Sequence, residues 1–168
     1  KPSVDLWSHK RLWAMMFFLS VLSQKAFCSM SKKIKINDTI SIQIFEEKVK
    51  VKKYVYSDGL VVLANDKLIF GTDAEIPKME VSRIILTLGK RTIILPSESM
   101  YDIQLEYLNS EDFTITKTWR GLAIRGLFSL GASLFLCEWE IVKNKAFRTI
   151  VTSDDDMLDL VLTGKQMK

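Results

Sequence analysis

Residues 81 to 95 read VSRIILTLGKRTIIL, and this stretch decides the fold class. Two runs rich in Ile, Leu and Val, residues 81 to 88 and 91 to 95, flank the dipeptide Gly89-Lys90, which is typical of a tight turn. Pro96 follows directly and ends the second run, because proline cannot donate a ladder hydrogen bond. The stretch therefore predicts an antiparallel β-hairpin.

The same pattern of short strands separated by turn residues continues toward the N-terminus. Ile40, Ile42 and Ile44 alternate with polar residues, as in a strand with one buried face. Asp58-Gly59 tolerates the positive φ of a two-residue turn and predicts a hairpin between residues 49 to 56 and 60 to 64. Asn65-Asp66 predicts a further turn into residues 67 to 70.

Toward the C-terminus, alternation predicts five more strands, joined by turns at Asn109-Ser110, near residues 129 to 133 and at 143 to 145. These strands cover residues 103 to 107, 113 to 119, two stretches within 121 to 142, and 146 to 152. Ser153, with Asp156 three residues later, resembles a capping box and predicts a helix over about residues 154 to 163. We expect an all-β fold of about seven to nine strands, mainly an antiparallel sandwich or a bent barrel-like sheet, with one short C-terminal α-helix.

Two segments, LVVLANDKLIFG (residues 60 to 71) and EIPKMEVSRIIL (residues 75 to 86), have a strand, turn, strand, loop and strand rhythm. This rhythm resembles bacterial pleckstrin-homology-type domains, which also end in an amphipathic helix. The resemblance covers residues 60 to 88 and the terminal helix and includes no diagnostic residue. It implies a strongly bent sheet capped by the helix and a module that binds lipid headgroups.

Residues 1 to 28 predict a secretory signal peptide. A basic stretch at residues 9 to 11 precedes an apolar run at 12 to 22, which is too short to span a bilayer. Two alternatives remain open: a helix packed in the domain, or a lipid anchor on Cys28. We expect residues 29 to 168 to form a single exported domain in the periplasm, in the cell envelope or outside the cell, with membrane attachment only through the N-terminal segment.

The net charge of +4 is concentrated in this N-terminal segment. Four basic residues and one acidic residue lie before position 29, so the remainder carries 20 basic and 19 acidic residues, a net charge of +1. A nearly neutral domain gives no reason to expect a nucleic-acid partner.

The only histidine, His9, falls inside the predicted signal. The expected mature domain therefore lacks Ser-His and Cys-His nucleophile pairs and histidine-containing zinc sites. Cys137 lies in an apolar run, where a buried, inert thiol is expected, and no Gly-rich phosphate loop is present. We predict no catalytic residue, no metal site and no cofactor.

Trp119, Arg120 and Arg125 are the candidate binding residues, because tryptophan and arginine are enriched in the energetic centres of interfaces. We expect a non-enzymatic exported domain that binds a protein or an envelope component. Alternatives are an immunity-type or inhibitor protein, the headgroup-binding module, and a glycoside hydrolase whose carboxylates are Glu138 and Glu140, two residues apart on one strand face. The acids 154 to 156 could form a cation site, although helix capping already accounts for them.

Overall fold

The computed structural model describes residues 29 to 71, 75 to 130 and 133 to 163. The predicted signal peptide, residues 1 to 28, lies outside these ranges. The described chain is mostly antiparallel β-structure, 59% strand, with one short C-terminal helix, as the sequence predicted. The described strands number eleven rather than seven to nine. They are β1 Met30–Lys35, β2 Ile40–Lys48, β3 Tyr54–Ser57, β4 Leu60–Ala64, β5 Lys67–Leu68, β6 Met79–Leu88, β7 Arg91–Leu95, β8 Phe113–Lys117, β9 Leu122–Leu130, β10 Ser133–Val142 and β11 Lys145–Thr152, followed by helix α1 Asp155–Thr163.

Within the described ranges the strands form three sheets, and none of them closes into a barrel. Sheet I has the order β1-β2-β6-β7, sheet II the order β11-β10-β9-β8, and sheet III the order β3-β4-β5. Sheets I and II bury their inner faces in one shared hydrophobic core, which makes a sandwich. The segment that carries the pleckstrin-homology resemblance is divided between sheets III and I.

Strand alternation explains which residues fill the core. On β2, Ile42 and Ile44 point inward, and on β10 the inward residues are Phe135, Cys137, Trp139 and Ile141. The indole Nε1 of Trp139 donates to the carbonyl of Pro96 at 2.8 Å, so this buried polar atom has a partner. The burial of apolar surface in this core, which contributes about 25 cal/mol per Å², is the main stabilising contribution to the sandwich.

The predicted hairpin of residues 81 to 95 is confirmed as β6 and β7, paired from Leu88↔Arg91 to Ile84↔Leu95. Asp58 and Gly59 have φ values of 51° and 82°, the turn that Asp-Gly predicted. Asn65 and Asp66, at 50° and 62°, form a second turn of this kind between β4 and β5.

Two strand predictions are wrong. Residues 49 to 53 are irregular, so β3 begins only at Tyr54, and residues 103 to 107 form a loop instead of a strand. Ile103 and Leu105 are buried nevertheless, because this loop closes one end of the core. Their apolar alternation reflects burial of a loop, which the period alone cannot distinguish from a strand.

The helix prediction is confirmed in position, but its cap differs. The Asp154 carboxylate accepts from the Met157 N–H at 2.9 Å, so Asp154 is the capping residue and Ser153 is not. Asp155 and Asp156 occupy the first turn, where the helix dipole favours acids.

Four turns of the sandwich lie at one end, which we call the turn end. The turns follow β1, β6, β8 and β10 and cover residues 36 to 39, 89 to 90, 118 to 121 and 143 to 144. The Gly89 N–H donates to the Thr39 carbonyl at 2.6 Å and joins the two turns of sheet I. The Arg91 guanidinium donates to the Lys143 carbonyl and to Asn144, and this joins sheet I to sheet II.

Candidate functional site

Trp119 lies at the tip of the β8–β9 turn and is 94% exposed. The turn is closed by reciprocal backbone hydrogen bonds between Thr118 and Gly121, at 3.0 and 3.3 Å, and the Thr118 hydroxyl accepts from the Gly121 N–H at 3.0 Å. A Cβ at Gly121 would lie 2.0 Å from the carbonyl oxygen of Ile141. Glycine is therefore required at position 121, because only it allows the turn to approach β10 this closely.

Arg120 is held beside this tryptophan by two contacts. Its guanidinium carbon lies 5.5 Å from the centre of the Trp119 ring, within cation–π range, and its Nη1 lies 3.3 Å from Oε2 of Glu140. The ion pair is about half exposed on the arginine side, so it orients the guanidinium more than it stabilises the fold.

Arg125 makes the equivalent contact one step along the sheet. Its Nε donates to Oε2 of Glu138 at 2.6 Å, and Oε1 of Glu138 accepts from the Thr149 hydroxyl at 2.8 Å. Glu138 is paired with Arg125 in the β9–β10 register, which places both side chains on the outer face of sheet II. Arg120 and Arg125 thus both meet carboxylates of β10 on the outer face of sheet II, Arg120 at the turn end beside Trp119 and Arg125 in the middle of β9.

Glu138 and Glu140 do share one strand face, with Trp139 buried between them on the other. Each carboxylate is held by its own arginine, and both are largely covered. The two carboxylates therefore form two neighbouring ion pairs, Glu138 with Arg125 and Glu140 with Arg120. To act on a sugar, each would have to leave its guanidinium partner.

Phe147 is an exposed aromatic residue of the site that the sequence analysis missed. It pairs with Glu140 in the β10–β11 register and so lies on the same outer face, with about half its surface accessible. Phe147 could have been predicted from the register of the last hairpin, because it follows the turn at residues 143 to 144 by three positions.

Glu46 is a second residue that sequence reasoning missed. It continues the inward series of Ile42 and Ile44 on β2, beside a β-bulge, and is only 3% exposed. Among the described residues, none hydrogen-bonds its Oε1. Burial, followed by the negative charges of Asp102 and Glu106, raises the pKa of Glu46 to about 7, against a smaller lowering effect from a hydrogen bond with the Ile103 backbone.

Cys137 is fully buried, as the sequence predicted, and burial raises the pKa of its thiol to about 12, partly offset by Arg148. The thiolate, which is the reactive form, is therefore scarce at neutral pH.

The described ranges contain no group of three or more His, Cys, Asp or Glu residues arranged to hold a metal ion. None of the helices in that part of the chain is long and apolar enough to cross a membrane.

Comparisons with protein-family models, with curated proteins and with solved structures found no match for this chain.

Proposed function

We propose that this protein is an exported, non-enzymatic binding domain that holds a protein or an envelope component against Trp119 at the turn end. The observation that carries the proposal is the 94% exposure of the Trp119 indole on a turn whose backbone is fixed. A large apolar ring left in water is costly unless a partner covers it, and tryptophan dominates the energetic centres of interfaces.

The surroundings of Trp119 support the same proposal. Arg120 is oriented by Glu140 and by the indole itself, so little side-chain entropy is lost when a partner binds it. Arg125 and Phe147 extend the surface along the outer face of sheet II. The surface thus combines aromatic anchors with fixed polar groups, as in the centre of a recognition site.

The test measures whether position 119 is covered in cells, whatever the partner is. Hydroxyl radicals label exposed aromatic rings, and mass spectrometry of the unsubstituted chain reports the accessibility of Trp119 and, as the control, of Tyr107. Tyr107 is 69% exposed and lies near the start of β8, at the other end of that strand from Trp119.

We expect labelling at position 119 to be suppressed in intact cells relative to the purified protein, and labelling at position 107 to be the same in both. Equal labelling of position 119 in cells and after purification would contradict the proposal. A recovered, stoichiometric enzyme partner would specify an inhibitor role for the same surface. Sugar hydrolysis by the purified protein that is abolished by Glu138→Gln would replace the proposal with the hydrolase alternative.

A further inference from the structure

The turn end carries a strong excess of positive charge that the near-neutral total conceals. The four turns with their flanking strand residues span 35 to 40, 88 to 91, 117 to 122 and 142 to 145, and they contain seven basic residues and one acidic residue. The basic residues are all exposed: Lys35, Lys90, Arg91, Lys117, Arg120, Lys143 and Lys145. The opposite end of sheet I differs, because Glu47 and Glu80 are mixed there with Lys48 and Lys50.

Three of these seven cations are already engaged within the protein. Lys35 pairs with Asp38 at 2.7 Å, Arg120 pairs with Glu140, and Arg91 donates to the β10–β11 turn. For the other four, Lys90, Lys117, Lys143 and Lys145, no carboxylate of the described residues lies within ion-pair distance. Both arginines of the turn end are occupied, so the cations free for a ligand are flexible ammonium groups rather than planar guanidinium forks.

An exposed indole ring among flexible lysines suits binding to an extended charged surface better than binding a small ligand in a specific pocket. Trp119 projects from a turn with almost none of its own chain around it, so it does not line a groove that would hold a peptide or a base. Indole rings concentrate at the interface of a bilayer with water, where one part is apolar and the other hydrated. Lysines around such a ring attract anionic lipids without needing fixed geometry.

We infer that the turn end docks on an anionic lipid bilayer, with Trp119 among the headgroups and Lys90, Lys117, Lys143 and Lys145 facing the lipid phosphates. The inference rests on the proposed function and names its partner. It also adds a second membrane contact to the one expected from the N-terminal segment.

The test uses the full chain and vesicles of either pure phosphatidylcholine or phosphatidylcholine with 30% phosphatidylglycerol. Residues 1 to 28 are identical in every variant, so their own affinity for lipid cancels when the variants are compared on the same vesicles, and it is this comparison between variants that carries the test. The charge variant is Lys90→Gln with Lys145→Gln, and the matched control is Lys48→Gln with Lys52→Gln, which removes the same charge away from the turn end. Circular dichroism confirms that both variants are folded.

We expect the anionic vesicles to bind the wild type more tightly, and the charge variant to lose about 25-fold in partitioning at 0.1 M salt, since each basic residue near an anionic surface contributes about fivefold. The control should change less than about twofold, and 1 M salt should remove the difference between the two variants, because it shortens the Debye length to about 3 Å. The fluorescence of Trp119, obtained as the wild type minus Trp119→Phe, should shift to shorter wavelength on the anionic vesicles.

Equal partitioning to both vesicle types, an equal loss in both lysine variants, or an unshifted Trp119 spectrum would each overturn the inference. If position 119 is nevertheless covered in cells, the proposed function stands and the partner is an acidic protein. If position 119 is also accessible in cells, both proposals fail.

Discussion

Glu46 should make the stability of this protein fall as pH rises, which is the reverse of what paired carboxylates do. The pKa of Glu46 is raised from 4.5 to about 7 in the folded chain, so the folded state holds this proton more tightly than the unfolded state. Below pH 4.5 the carboxyl is protonated in both states and its contribution to stability is fully present. Between pH 4.5 and about 7 the unfolded chain releases the proton first, and the free energy of unfolding falls.

The size of this effect follows from the shift. At 1.36 kcal/mol per pKa unit, a rise from 4.5 to about 7 corresponds to about 3 kcal/mol lost by pH 8. Glu46→Gln keeps the shape and removes the ionisation, so it should raise the free energy of unfolding by up to about 3 kcal/mol at pH 8 and change it by about 1 kcal/mol or less at pH 4. An amide of this size still leaves one polar atom without a partner, so the gain at pH 8 is an upper bound.

Urea unfolding of the wild type and of Glu46→Gln from pH 4 to 8 measures this difference, and subtraction removes the titration of the other carboxylates. Glu47→Gln, the next carboxyl along the chain, reports how much any removed carboxyl contributes. Carbon-13 NMR of the Glu46 carboxyl gives its midpoint directly. A difference between wild type and Glu46→Gln that is flat with pH, or a midpoint near 4.5, would refute the reasoning.

Three further substitutions test local features by thermal or urea unfolding. Gly121→Ala should cost about 1 to 3 kcal/mol, because the added methyl collides with the Ile141 carbonyl and the turn must move, and unchanged stability would contradict this account of the turn. Asp66→Gly should raise the free energy of unfolding by up to about 1 kcal/mol, since Asp66 has φ 62° and glycine adopts this conformation without steric cost. A lowered melting temperature would show that the exposed ion pair of Asp66 with Lys53 contributes more than the relief of backbone strain. Asp154→Ala should cost about 1 kcal/mol and Ser153→Ala much less, because Asp154 caps helix α1, and the reverse order would restore the capping box that the sequence predicted.

Local sequence was sufficient where one pattern had one physical cause. Asp58-Gly59 and Gly89-Lys90 predicted hairpins that exist, because few conformations other than a tight turn suit those residues between apolar runs. The alternation at Ile103 and Leu105 had two possible causes, a strand or a buried loop, and the sequence favoured the wrong one.

The candidate site was harder to predict because its contacts depend on register. Trp119 and Arg120 were recognisable from residue type, but the pairing of Arg125 with Glu138 needs the β9–β10 alignment. Glu46 was missed because a glutamate is expected outside, although the period of Ile42 and Ile44 places it inside. Its burial depends on the loop that carries Asp102 and Glu106, which is distant in sequence.

The two unusual features of this molecule lie at opposite ends of sheet I, and this separation has a mechanistic consequence. Ile40 begins β2 at the turn end, and Glu46 is six residues further along the same strand, about 20 Å away at the rise of an extended chain. At that distance, twice the Debye length at 0.1 M salt, the charge of Glu46 is too screened to change the attraction of the turn-end lysines for an anionic surface. Glu46→Gln should therefore alter stability with pH and leave vesicle partitioning unchanged, while Lys90→Gln with Lys145→Gln should do the reverse. If the two substitutions were instead coupled, the sandwich would transmit a change from one end to the other, and protonation of Glu46 would become a means of regulating binding.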